Sequence, residues 1–72
     1  MTKYAQVVFP SSKKAYTYKT SLELEIGERV LVDMGGGAYT VVKILRLSDI
    51  NPSTVPDDKL KPILGSVEHL II

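Results

Sequence analysis

Apolar and polar residues alternate with period two along most of this chain, and helical spacing is nowhere sustained. The most informative stretch is Gly27–Leu47, which reads as a hairpin. Val30 and Val32 alternate with Arg29, Leu31 and Asp33, as in a half-buried strand. Gly35, Gly36 and Gly37 supply a turn where positive φ costs glycine little. A longer strand, rich in β-branched residues, then runs from Tyr39 to Leu47. Strict alternation puts Tyr39, Val41, Lys43, Leu45 and Leu47 on one face and Thr40, Val42, Ile44 and Arg46 on the other. Both faces are largely apolar, so this strand is expected to be central and covered on both sides, or to curl around a barrel core.

Tyr4–Phe9 reads as a first strand, with Ala5, Val7 and Phe9 on one face and Pro10 ending the ladder. Ser11–Lys14 suits a turn, and Ala15–Lys19 a second strand with Tyr16 and Tyr18 on one face and Thr17 on the other. Leu22, Leu24 and Ile26 alternate with Glu23 and Glu25, which fits a short strand or an extended loop pinned by its leucines. Ser48–Asp58 is rich in Pro, Ser, Thr and Asp and reads as a long loop. A last strand is expected from Ile63 to Val67, with Pro62 at its start. Short strands joined by Gly, Pro and Ser turns imply an all-β fold: a five- to six-stranded antiparallel barrel. Val30, Val32, Val41 or Val42, and Ile44 are its expected core.

With 72 residues the chain makes a single domain, 1–72, of which only about 60% of the unfolded surface is buried. No apolar run approaches the ~18 residues of a membrane helix, and the N-terminus lacks a signal-peptide core. The absence of cysteine fits a reducing compartment, so the expected location is the cytoplasm. The net charge of +1 does not by itself point to a polyanion. Its distribution does more, because residues 1–20 carry Lys3, Lys13, Lys14 and Lys19 and no acid.

Catalysis, a metal, a cofactor and a small-molecule substrate are not expected. His69 has no nucleophile near it in sequence and reads as an exposed or terminal histidine. No His, Asp or Glu group has metal-ligand spacing. The three glycines lead into a strand rather than a helix N-terminus, so they are a hairpin turn and not a phosphate cradle. The group that carries chemistry is Lys13, Lys14, Tyr16, Tyr18 and Lys19, with Lys59 and Lys61 later. Exposed aromatics flanked by cations on a β surface bind single strands, because bases stack on the rings and cations meet phosphate. Alternatively, both tyrosines are core residues with their hydroxyls at the rim.

In order, the chain has a strand ending in Val7-Val8-Phe9-Pro10, then Tyr16-Thr17-Tyr18, then Leu24 to Gly27 and Arg29-Val30-Leu31-Val32. A glycine turn, a Val-rich strand, an acidic Pro-containing loop and Leu60-Lys61-Pro62-Ile63 complete it. This order resembles the N-terminal DNA-binding domain of the primosomal replication-restart helicase PriA. The resemblance implies a small barrel that holds the 3′ end of a DNA strand through an aromatic-Asp-Tyr element, a turn glycine and a lysine before the last strand. By position these fall on Tyr16, Thr17 and Tyr18, on Gly36 among the three turn glycines, and on Lys61. Thr17 stands where that family has Asp and is a weaker acceptor for a terminal hydroxyl. Asp33-Met34-Gly35 stands where the family has Pro-Phe-Gly. The expectation is a non-catalytic, stand-alone module, phage- or prophage-encoded, that binds single-stranded DNA or a DNA 3′ end. The alternative is a protein-interaction module, since Val-x-Val, a glycine turn and a Val-rich strand also recur in SH3-like and OB-like barrels.

Overall fold

The computed structural model describes residues 3–70. They form five antiparallel strands, β1 (Lys3–Val8), β2 (Ala15–Thr20), β3 (Arg29–Gly35), β4 (Ala38–Ser48) and β5 (Ile63–Ser66), and a single-turn helix, α1 (Val67–Leu70). A 3₁₀ turn at Asp57–Lys59 interrupts the long loop before β5. The sheet runs β2-β1-β4-β3-β5. It curls until its two edges meet at a parallel bridge between Lys19 and Pro62, where the Lys19 N–H donates to the Lys61 carbonyl at 3.1 Å. The expected barrel is therefore a curled five-stranded sheet closed by a narrow seam, which leaves little open edge.

The β3–β4 hairpin turns at Gly36 and Gly37, whose φ values of 62° and 81° are those that a tight two-residue hairpin loop needs. Asp33 pairs with Tyr39 but Gly35 pairs with Ala38, so Met34 is an extra, bulged residue. The Asp33 Oδ1 accepts from the Gly35 N–H at 2.7 Å and fixes this corner.

The core is Ala5, Val7, Tyr18, Val30, Val32, Val42, Ile44 and Ile63, with Phe9, Leu24 and Leu47 packed against it. Val30, Val32, Val42 and Ile44 lie inside as the alternation requires, and Val41 stays 38% exposed. Beyond Ile44 the simple alternation fails. Val7 pairs with Ile44 and Gln6 with Arg46, so Leu45 is an extra residue at a second bulge. The bulge reverses the facing of the residues beyond it: Leu47 packs inward on the Ile44 side, and Arg46 is exposed. The outer face of β4, with Tyr39, Val41 and Leu45, is exposed, so the strand curls around the core and is not covered on both sides.

Leu22–Ile26 is a loop, not a strand, and only Leu24 pins it. The segment meets the ladder only at its end, where the Gly27 N–H donates to the Ile44 carbonyl and the Ile44 N–H to the Glu28 carbonyl. Phe9 lies just past β1, and Val67 begins α1 instead of ending β5. The Ser66 hydroxyl, buried at the end of β5, donates to the Glu28 carboxylate. The side chain of His69 lies outside the described residues.

Candidate nucleic-acid interface

The register of β1 on β2 sets the site. Tyr16 is opposite Val7 and Tyr18 opposite Ala5. Directly paired residues in an antiparallel ladder project to the same side, so both tyrosines share the inward side with Val7 and Ala5. Across from Tyr18, Ala5 leaves room for a ring over the core, and Tyr18 is 8% exposed. Tyr16 sits two pairs nearer the strand end, at the barrel mouth, and is 45% exposed. Phe9 lies between them: its ring meets Tyr16 edge-on at 5.1 Å and 81°, and Tyr18 at 6.4 Å and a 39° tilt. Edge-to-face pairing holds the Tyr16 ring in place and leaves part of it free for a further partner.

Lys61 enters from the other edge of the sheet. Its carbonyl forms the seam with Lys19, and its side chain lines a surface cavity with Phe9, Tyr16, Tyr18, Asp33 and Met34. A Cβ at Gly35 would stand 3.9 Å from the Lys61 Nζ, whereas one at Gly36 would have nothing within 4 Å. Gly35, with φ of 91°, is thus the turn glycine beside the cation, and Gly36 lies out at the hairpin tip. A second cavity adjoins the first. It shares Tyr16, Tyr18 and Lys61 and is extended by Thr17, Ser53, Val55 and Lys59.

Burial raises the Tyr18 hydroxyl pKa above its ordinary value, and the nearby Tyr16 and Asp33 add to the effect. Tyr18 therefore stays a neutral donor at physiological pH. Lys13 and Lys14 are exposed in the β1–β2 loop and line neither cavity. Lys19 turns to the seam: its Nζ donates to the Asp57 carbonyl at 3.2 Å, and it lines a different cleft with Leu22 and Pro62. Thr17, paired with Gln6, borders only the second cavity. Among the described residues no group of His, Asp or Glu could hold a metal ion.

The structure thus brings Tyr16, Tyr18 and Lys61 together although 43 positions separate Tyr18 from Lys61 in sequence. It keeps Lys13, Lys14, Lys19 and Gly36 outside that cavity. It adds Phe9, Asp33 and Met34, which sequence reasoning did not place there. Phe9 reads as a core residue because it continues the Ala5-Val7 face. Asp33 and Met34 fall in the hairpin corner where the family pattern differs, and that difference was the only signal in the sequence.

Residues 6–72 match the family model of the PriA 3′DNA-binding domain (3′BD). No curated protein and no solved structure matches the chain.

Proposed function

The chain belongs to the family of PriA 3′DNA-binding domains, and we propose that it is a non-catalytic module that holds the 3′ end of single-stranded DNA at the barrel mouth. Family membership supports a DNA partner. The observation that carries the finer reading is the half-exposed Tyr16 ring, braced by Phe9 and facing one cavity with Lys61. A terminal base stacks on Tyr16, a contribution of about 1–3 kcal/mol. The Lys61 ammonium meets the adjacent phosphate, and the buried Tyr18 supplies a fixed hydroxyl donor. The cysteine-free composition fits action in the cytoplasm.

The test is a titration of 5′-fluorescein-labelled dT oligonucleotides at 50 and 200 mM salt. Binding should weaken as salt rises, and Lys61→Ala should lower the salt slope by about one phosphate contact. Absence of binding at tens of micromolar protein in low salt overturns the reading. A second reading, a protein-interaction module, draws on the exposed Tyr39, Val41 and Leu45 along the outer face of β4. An apolar contact there would be insensitive to salt, so the same titration separates the two.

A further inference from the structure

The two adjoining cavities carry opposite charge at their far ends. At one end Asp33 is half-buried, and its Oδ1 is held by the Gly35 N–H, so the carboxylate is fixed and its Oδ2 can take a second donor. At the shared middle lies Lys61, and at the other end Lys59. Lys59 and Lys61 flank Leu60, which is buried and extended, with φ −75° and ψ 136°. An extended residue spaces its neighbours by roughly 6–7 Å, comparable to one nucleotide of a stretched strand. A fixed carboxylate repels a phosphate and accepts from a hydroxyl. Two lysines in series attract successive phosphates.

We propose that the groove takes the strand in one direction only: the hydroxyl-bearing terminal nucleotide lies against Asp33, and the chain leaves over Lys61 and then Lys59. The cavity formed by Thr17, Ser53, Val55 and Lys59 is the subsite of the second nucleotide. In it Val55 offers apolar surface to the sugar or base, and Thr17 and Ser53 lie along the wall. This inference rests on the binding of a DNA 3′ end proposed above and adds two residues to it, Asp33 as the group that rejects a terminal phosphate and Lys59 as a second phosphate contact.

The experiment competes unlabelled TpT, TpTpT and dT8, each with a 3′-hydroxyl or a 3′-phosphate, against labelled dT8 on the full chain. Asp33→Asn keeps the Oδ1 acceptor for Gly35, and Lys59 is an exposed residue, so both variants should melt with the wild type. Wild type should prefer the 3′-hydroxyl on the order of tenfold, the scale of one hydrogen bond to a charged group. Asp33→Asn should bring the two termini within about twofold, since the repelling charge is gone. Lys59→Ala should lower the salt slope by about 0.7 for TpTpT and dT8 and leave it unchanged for TpT, which has only the phosphate assigned to Lys61. If DNA binds without preference between the termini, if Asp33→Asn keeps the preference, or if Lys59→Ala leaves the TpTpT slope intact, this inference is overturned and DNA binding stands. If no oligonucleotide binds, both fall.

Discussion

Replacing Tyr16 by Ala separates the proposed stacking surface from the core. The ring is 45% exposed, and its main described partner is the edge-on contact with Phe9. Losing that contact costs about 0.5–1.5 kcal/mol of stability. For a domain of this size each kcal/mol lowers the melting temperature by about 4–8 °C. At 0.05–0.15 kcal/mol per residue the whole fold holds about 4–11 kcal/mol, so the variant remains folded at 25 °C. If a terminal base stacks on the ring, the same change weakens oligonucleotide binding by about 1–3 kcal/mol, or about 5- to 150-fold. Tyr18 behaves differently, because its ring belongs to the core. Tyr18→Ala removes a buried aromatic at a cost of about 3–5 kcal/mol, which consumes most of the stability. Tyr18→Phe keeps the ring and isolates the hydroxyl. Fluorescence anisotropy with labelled dT8 at 50 mM salt, paired with thermal melts of the same samples, reads both effects. A folded Tyr16→Ala protein that binds within twofold of wild type would refute the assignment of the ring as a stacking platform.

Three further outcomes test the fold around the site. Ile44 is 1% exposed and Leu45 47%, so in urea melts Ile44→Ala should lose about 2–5 kcal/mol and Leu45→Ala under about 1 kcal/mol; equal losses would show the β4 bulge to be misplaced. Gly35 has φ of 91° and faces the Lys61 ammonium, so Gly35→Ala should destabilise by about 1 kcal/mol or more and also weaken DNA binding, measured by melts and anisotropy. The Tyr4 hydroxyl donates to the Asp57 Oδ2 at 2.5 Å. This bond is the largest cause of a depressed Asp57 pKa, with a further donor from Asn51 and a smaller aid from Lys19. The contribution of Asp57 is therefore present above the ordinary carboxylate value of about 4 and is lost as pH falls below it. The Tyr4 pKa is raised, first by the same bond, so its contribution is present below about pH 10 and is lost as pH rises beyond. Melting temperatures of Tyr4→Phe and wild type should converge at both extremes of pH and differ most between them.

The strands were legible because period-two alternation is a local signal. Val30, Val32, Val42 and Ile44 lie inside, as that pattern says. What the pattern does not carry is an added residue. The bulges at Met34 and Leu45 shift the phase by one without changing residue type, and the second alone decides that Leu47 packs inward and Arg46 does not. Leu22–Ile26 misleads for another reason. Alternation fits a strand, but a strand also needs a partner edge, and among the described residues this segment reaches one only at Gly27 and Glu28. Of the candidate site, the tyrosines were legible as a pair but not as unequal. That Tyr18 is buried and Tyr16 is half-exposed depends on distance to the strand end, which requires the register with β1.

The position of Lys61 depends on closure of the barrel. Its backbone is one half of the seam that joins β2 to the strand entering β5, and its side chain faces the tyrosines only because that seam is made. Closure likewise sets Lys61 in one cavity with Asp33, which stands just before the bulge at Met34 in the hairpin corner. Position-by-position transfer from the family pattern gives the acceptor role to the residue between the tyrosines. Here that residue is Thr17, which pairs with Gln6 and borders only the second cavity. A carboxylate reaches the first cavity from a different strand. Since a terminal hydroxyl is recognised by where an acceptor sits and not by which strand supplies it, on the proposed reading the exchange of Asp for Thr on β2 leaves this barrel an acceptor for that hydroxyl. That reading puts the decisive residue at the hairpin corner, and Asp33→Asn and Thr17→Asp then give opposite expectations: the first should abolish discrimination between 3′-hydroxyl and 3′-phosphate, and the second, made in the wild-type background, should leave it in place.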